Sequence, residues 1–371
     1  MNNYNLGFIM LNSLYSEAIR KKGLINEPLE EYKETKIDIE SKWHEEEIIS
    51  SDSNLILAAG DGSYNKKKYL SFNFYAVAAQ SLIYNPNDTE SKLKAIESAE
   101  LDIIPHQSFL EERLRNMMSI FEIKTAIKTF NDFDIDYYMD DGSILGDLIR
   151  PIPVEKSISP EYKANIISQV KEKLESEIQS DELNLSSFNF KEEFKDLFED
   201  ENIDEYALIT FLESLENLIA LKYLLENKKK IIAISKTSSS NELFHANIPD
   251  MAILDGMTRK QGFSEPYHRK VTYKTKHDFP IENEFFRELW FTIFFARLDD
   301  NKNIIKIELP FYTKDLDEIR EILKVLKSNS TEGYPFLLKK AHKDVVISNQ
   351  DMNSLSKIIG FLDKSGREML N

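Results

Sequence analysis

Two aspartates, Asp61 and Asp141, stand where apolar runs end, and each is followed by Gly-Ser: LAAGDGSYN over 57–65 and YYMDDGSIL over 137–145. Carboxylates on neighbouring strand ends suit hard divalent cations, which take oxygen ligands. Two such ions about 3.5–4 Å apart activate water and stabilise the leaving oxygen in phosphodiester cleavage. Each tripeptide is equally an ordinary Asx turn, since Asp and Gly both favour turns. Taken alone, the two tripeptides favour the turn.

A third carboxylate shifts that balance. On a helix expected over 107–130, Met118, Glu122, Ala126 and Phe130 recur every fourth residue and share one face. Glu122 is a charge inside an apolar stripe. A buried unpaired carboxylate is costly, so it calls for a cation or a metal. The competing reading is a stripe-edge Glu paired with a nearby lysine. Glu111 and Glu112 are weaker candidates for the third position, because Arg115 lies one turn away and can pair with either.

These residues need elements to position them. Residues 54–61 are expected to form a short strand buried on both faces and ending at Asp61. Residues 69–84 continue as one or two strands, and Asn85-Pro86-Asn87-Asp88 is a turn. The 107–130 helix carries Leu110, Leu114, Met117 and Phe121 as its main stripe, and 135–141 is another strand. Pro151, Pro153 and Pro160 open a charged stretch, read as a helical insertion or surface lobe over about 154–204. A helix at 205–227 leads into a strand and polar loop in KKKIIAISKTSSS. Residues 288–298 and 303–309 form a hairpin turning at Asp299-Asp300-Asn301, followed by helices at 315–327 and from 351. Residues 10–50 read as helical, so an N-terminal helical arm over 1–53 precedes a domain over 54–371. Strands mixed with helices specify an α/β fold.

Composition limits the function classes. The chain has 371 residues, 42% of them hydrophobic, which is ample for a sizeable core. It has no cysteine, which excludes disulfides and thiolate metal sites. There is no run of ~18 apolar residues to span a membrane. The N-terminal stretch lacks the basic and apolar segments of a signal peptide, so a cytoplasmic location is expected. The net charge of −17 argues against broad nucleic-acid binding, which needs Lys and Arg against phosphate. The acid is concentrated, however, in 27–53 and 171–205. Basic groups at Lys66–Lys68, at Lys228–Lys230, and at Lys339, Lys340 and Lys343 can either line a cleft for a polyanion or stand solvated on the surface.

The order Asp-strand, hairpin, Glu-helix, Asp-strand resembles the ribonuclease H-like nuclease core. Six segments resemble the NurA nucleases of archaea and some bacteria: AAGDGSY, YYMDDGSIL, IIAISKTSSS with Lys236, NIPDMAIL with Asp250, FFARLDDNKNIIKIELPF, and GYPFLLKKAHKDVVIS with Tyr334 and His342 eight apart. The resemblance runs from about residue 55 to the C-terminus and implies a mixed sheet flanked by helices. It implies that Asp61, Glu122 and Asp141 bind manganese, with magnesium as the alternative. It places Lys236 near the scissile phosphate and Tyr334 and His342 beside the metals. Asp250 would either complete the metal site or cap a turn. It further implies 5′-to-3′ exonuclease activity on single- and double-stranded DNA and endonuclease activity on single strands. The partner would be a HerA-type hexameric helicase–translocase, the assembly a homodimer, and the role double-strand break end resection in homologous recombination. Two rivals stand beside this expectation. One is a non-catalytic docking subunit of a motor ATPase on the same fold. The other is a ribonuclease H-like enzyme for RNA or branched DNA.

Overall fold

A computed structural model of the chain describes residues 12–34, 38–50, 54–152, 154, 158–180, 182–198, 204–275 and 278–361. In chain order the elements are α1 (Asn12–Glu34), β1 (Trp43–Glu45), β2 (Leu57–Lys68), β3 (Phe72–Tyr84), β4 (Leu93–Pro105), α2 (Leu110–Asp132), β5 (Tyr137–Asp141), α3 (Ile144–Leu148), α4 (Pro160–Gln179), α5 (Phe190–Glu193), α6 (Lys195–Phe198), α7 (Glu205–Leu225) and β6 (Ile231–Ser235). Then follow α8 (Asp250–Met257), β7 (Gly262–Ser264), β8 (Tyr267–Lys270), α9 (Asn283–Glu288), β9 (Trp290–Arg297), β10 (Ile305–Leu309), α10 (Leu316–Ser328), β11 (Ser330–Thr331), β12 (Tyr334–Pro335), α11 (Phe336–Val345) and α12 (Asn349–Ile359).

Among the described residues, ten strands make one mixed sheet in the order β1-β7-β9-β10-β6-β5-β2-β3-β4, with β8 also on β9. β2, β5 and β6 are mutually parallel neighbours, and the other pairings are antiparallel. The parallel strands follow one another in a single direction across the sheet. Crossovers of one hand then fall on one face, where α2 and α7 pack. β6 is buried on both sides, which is why its sequence, IIAIS, is apolar without alternation.

Alternation along the strands divides the core in two. Ala58, Tyr138, Ile231 and Ala233 join α2, α4 and α7 on one face. Leu57, Ala59, Met139, Ile232 and Ile234 join α10 and α11 on the other. Helix starts are written locally: Ser159 accepts from the Tyr162 N–H before Pro160, Asp204 accepts from the Tyr206 N–H, and Ser348 forms a capping box with Asp351. Among the described residues no helix is long and apolar enough to cross a membrane.

The hairpin of β9 and β10 and the helices near 110–132, 205–225, 316–328 and 349–359 match expectation within a few residues. Four features differ. The helix expected over 10–50 ends at Glu34 within the described residues, and Trp43–Glu45 instead extends the sheet as β1 on β7. The first Asp-Gly-Ser is not a turn: β2 continues to Lys68, paired with β3 throughout, so Asp61 lies inside a strand. β4 was not foreseen, because its polar and apolar residues do not sort by face: Leu101 and Ile103 are exposed while Ser98 is buried. The charged stretch after Pro160, expected as a helical insertion or a surface lobe, does form a helix but is not confined to the surface. α4 packs through Ile166, Val170, Leu174 and Ile178, four apart on one stripe, into the α7 core. Parts of the 1–53 and 154–204 expectations lie outside the described residues.

One glycine sets how closely the sheet packs near the site. A Cβ on Gly60 would collide with the Tyr138 hydroxyl, which is buried and 2.8 Å from Ser81 Oγ. Gly60→Ala is expected to cost about 1–3 kcal/mol by overpacking. A lower urea midpoint with unchanged slope would show it; an unchanged midpoint would mean that Tyr138 yields freely.

Candidate metal centre and catalytic cluster

The parallel pairing of β2 with β5 ends at Gly60 opposite Asp140. Asp61 and Asp141 are the next residues on the two strands, so both project to the α11 face. There α11 brings His342 to them. Its Nδ1 lies 2.5 Å from Asp61 Oδ2 and 3.7 Å from Asp141 Oδ2. One ligand atom from each of Asp61, Asp141 and His342 falls within 4.8 Å of the others. Asp61 is 8% exposed and also accepts from the Gly62 N–H at 2.9 Å. Burial, then the Asp141 charge, push its carboxyl above the usual range, against the pull of His342.

Lys236 and Tyr334 close this side. Lys236, just past the end of β6, places Nζ 2.6 Å from Asp141 Oδ2 and 5.3 Å from the Tyr334 ring centre. Among the described residues the buried Tyr334 hydroxyl meets no partner at good hydrogen-bond geometry, and Asp141 is the acceptor beside it. Burial and the charges of Asp141 and Asp61 push the phenol well above its usual range, so it remains a neutral donor.

Glu122 lies on the other face. α2 carries it against Gly62, where a Cβ would sit 2.7 Å from its Cγ. Its carboxyl is held well above the usual range by burial, then by Asp140, Asp61 and Asp147, with the Gly62 N–H opposing. Thus the three carboxylates singled out from the sequence do not form one close cluster. Asp61 and Asp141 meet His342, and Glu122 meets Asp140, with the Gly62 peptide between them. The cause is the strand period: consecutive residues 140 and 141 must face opposite ways. Asp140 is pushed up to about 8 by burial and by the Asp147, Asp141, Asp61 and Glu308 charges.

The second Asp-Gly-Ser does turn. Ser143 caps α3 by accepting from the Gly146 N–H at 3.0 Å, and donates to Glu308 Oε1 at 2.7 Å. Glu308 is buried, receives Lys306 at 2.5 Å, and tethers this turn to β10. Asp250 is buried, and its two oxygens accept from the Leu243 and Phe244 N–H groups at 3.0 Å each. It closes the 243–250 loop and lies outside the 4.8 Å group. Glu111 pairs with Lys66 rather than with Arg115. Asp147, ion-paired to Arg150 at 2.9 Å, and Glu308 are acidic neighbours that the sequence reading passed over. The signal for Glu308 was its place in the alternating IKIEL strand.

Two hard carboxylates and one imidazole at this spacing fit a divalent ion such as manganese. Carboxyls destabilised by burial and by one another are a second sign that a cation belongs here. The donors gather at the carboxyl ends of parallel strands, the usual location of sites in α/β sheets.

Residues 55–347 match the model of the NurA domain. The chain is 32% identical over 355 residues to a probable DNA double-strand break repair nuclease NurA of Methanocaldococcus jannaschii, covering 90% of this chain and 85% of the relative. The fold matches the crystal structure of the NurA nuclease from Sulfolobus solfataricus with a TM-score of 0.72 at 24% identity, over 95% of this chain and 97% of that one. It also matches a NurA structure bound to dAMP and manganese with a TM-score of 0.67 at 17% identity, over 98% and 100%.

Proposed function

The chain belongs to the NurA family, and from that premise we propose that it is a metal-dependent deoxyribonuclease with a ribonuclease H-like core. The observation that carries this reading is the meeting of Asp61, Asp141 and His342 within 4.8 Å at the carboxyl edge of the parallel strands. Asp61, Asp141 and His342 would hold one divalent ion, manganese or magnesium. Glu122, across the Gly62 peptide on the side of Asp140, would be the carboxylate for a second ion. When bound, the ions supply an activated water and neutralise charge on the phosphodiester.

The chain's own groups do the rest. Lys236 pairs with Asp141 at 2.6 Å. With Asp141 engaged in holding a metal, the Lys236 ammonium would be placed to neutralise charge on a phosphate oxygen. Tyr334, kept neutral, donates a hydrogen bond rather than accepting a proton. His342 has a side chain 53% exposed, so it meets substrate as well as metal. Asp250 serves the loop, by its two backbone hydrogen bonds, and takes no part in the metal set.

The same reading carries a 5′-to-3′ exonuclease on single- and double-stranded DNA, endonuclease action on single strands, a homodimer, and a HerA-type translocase partner in break resection. Relatives named as double-strand break repair nucleases support the setting. End-labelled linear and single-stranded DNA should be degraded with manganese and left intact with EDTA. Intact DNA at every metal tested would favour the non-catalytic docking subunit.

A further inference from the structure

The row of β2 that carries Asp61 runs on past the site, and its members meet the last part of the chain. Alternation puts Asp61, Ser63, Asn65 and Lys67 on the α11 face, about 6.8 Å per step. Asp61 meets His342 on α11. Ser63 Oγ accepts the Ile347 N–H at 3.1 Å, and Asn65 Nδ2 donates to the Ile347 carbonyl at 2.9 Å. Lys67 reaches Asn353 of α12 at 3.0 Å. The Asn65 amide is itself oriented, because its oxygen accepts from the Lys66 N–H at 2.7 Å. Both backbone polar groups of Ile347 are thus taken by side chains of one strand. A serine in an ordinary turn bonds within its own loop, whereas Ser63 reaches a residue 284 positions away.

The consequence falls on α11. That helix ends at Val345, and Val346 leaves the helical region at φ −59° and ψ 120°. Ile347, two residues past the helix, is where directed bonds tie its far end to β2. The near end is tied by Asn329, whose carbonyl accepts from the Phe336 N–H at 2.6 Å and whose side chain accepts from the Leu337 N–H at 3.1 Å. Between the two ties, Leu337, Leu338 and Ala341 pack on the sheet. Apolar contact is non-directional, so it sets the height of the helix over the sheet and leaves its swing to the hydrogen bonds. The His342 side chain is 53% exposed, so its place follows from that of the helix. From the Asn329 end His342 lies about 9 Å along the axis, and a swing of about 6° moves it ~1 Å. A contact of 2.5 Å between Nδ1 and Asp61 Oδ2 does not survive that shift.

We propose that Ser63 and Asn65 are positioning residues of the metal centre: by holding Ile347 they fix the far end of α11 and so place His342 against Asp61. The inference rests on the metal reading of Asp61, Asp141 and His342. It gives each member of the first Asp-Gly-Ser a separate use. Asp61 would hold the ion, Gly62 leaves room for Glu122, and Ser63 fastens the helix that carries the imidazole.

The test removes both bonds with Ser63→Ala/Asn65→Ala. Met352→Ala is the control, since it loosens the packing of α12 on Phe74 and Ala76 and leaves Ile347 held. Manganese affinity is read from the electron paramagnetic resonance of the free ion, in the wild-type and the His342→Ala backgrounds. The double variant should raise Kd about tenfold, as loss of an outer partner of a ligand does. In His342→Ala the same change should add less than about twofold, because the group it positions is gone. Ser63→Thr keeps the hydroxyl and should stay within about twofold of wild type. An unchanged Kd in the double variant, an equal factor in both backgrounds, or the same loss in Met352→Ala overturns the assignment. So does Ser63→Thr binding as weakly as Ser63→Ala. If wild type binds no manganese, the metal reading fails. The positioning role is then judged on the metal-free protein by nuclear magnetic resonance. The imidazole signal that disappears in His342→Ala should shift in the double variant and stay in place in Met352→Ala; an unmoved signal overturns it. Should the double variant fold poorly, Ser63→Ala alone repeats the comparison, with a rise of about threefold expected.

Discussion

Asp61→Asn should abolish manganese-dependent cleavage, lowering turnover by roughly three orders of magnitude or more, because several kcal/mol of metal-derived stabilisation are lost at tenfold per 1.36 kcal/mol. The same change should stabilise the metal-free protein. Asp61 is buried and faces Asp141, and both conditions push its carboxyl above the usual range. Asn removes the charge yet can still accept from Gly62 and meet His342. A merely structural aspartate would behave in the opposite way, losing stability when replaced. Chelator-treated melts and cleavage assays on one preparation separate the two. Retained cleavage would sink the metal assignment, and joint loss of activity and stability would make Asp61 a structural residue.

The metal-free protein should lose stability as pH rises from about 4 to 8, and Asp140 should account for much of the loss. Its folded-state carboxyl is pushed up to about 8, while the unfolded chain titrates near the ordinary value of about 3.9. Between these values the folded state holds a proton that the unfolded state has released. Stability therefore falls with pH across that window and levels above it. Glu122 and Asp61 are shifted in the same direction and add to the slope. Asp140→Asn should flatten the profile and be a few kcal/mol more stable than wild type above pH 8, while matching it near pH 4. Manganese at neutral pH should restore wild-type stability in proportion to RT ln(1 + [L]/Kd). Thermal melts in EDTA across pH 4–9 provide the measurement. A wild-type profile that rises with pH, shared by the variant, would show that these carboxyls are ionised at little cost.

Local pattern made much of this legible. The helix periods of α2, α7 and α10, the apolar run of β6, and the β9–β10 hairpin are written in residue spacing, because each buries one stripe or both faces. The candidates drawn from the strand-end aspartates and the family resemblance, Asp61, Asp141, Lys236, Tyr334 and His342, gather at one edge, although Tyr334 and His342 lie about 200 residues beyond Asp141 in sequence.

What a single segment could not give was which side of the sheet each group takes. Asp140 and Asp141 are adjacent in sequence, yet the pleat sends them to opposite faces, and only the helix packed on each face assigns their partners. The first Asp-Gly-Ser has the composition of a turn. Pairing with β3 along the whole of β2 holds it extended, since a ladder of backbone hydrogen bonds outweighs a local preference. The second copy has no such partner beyond Asp141 and turns into α3, with Ser143 as its cap. The sequence by itself supplied candidate side chains for a cation. The tertiary structure decided which of them meet, because strand pairing and helix packing, not spacing along the chain, set the distances between carboxylates.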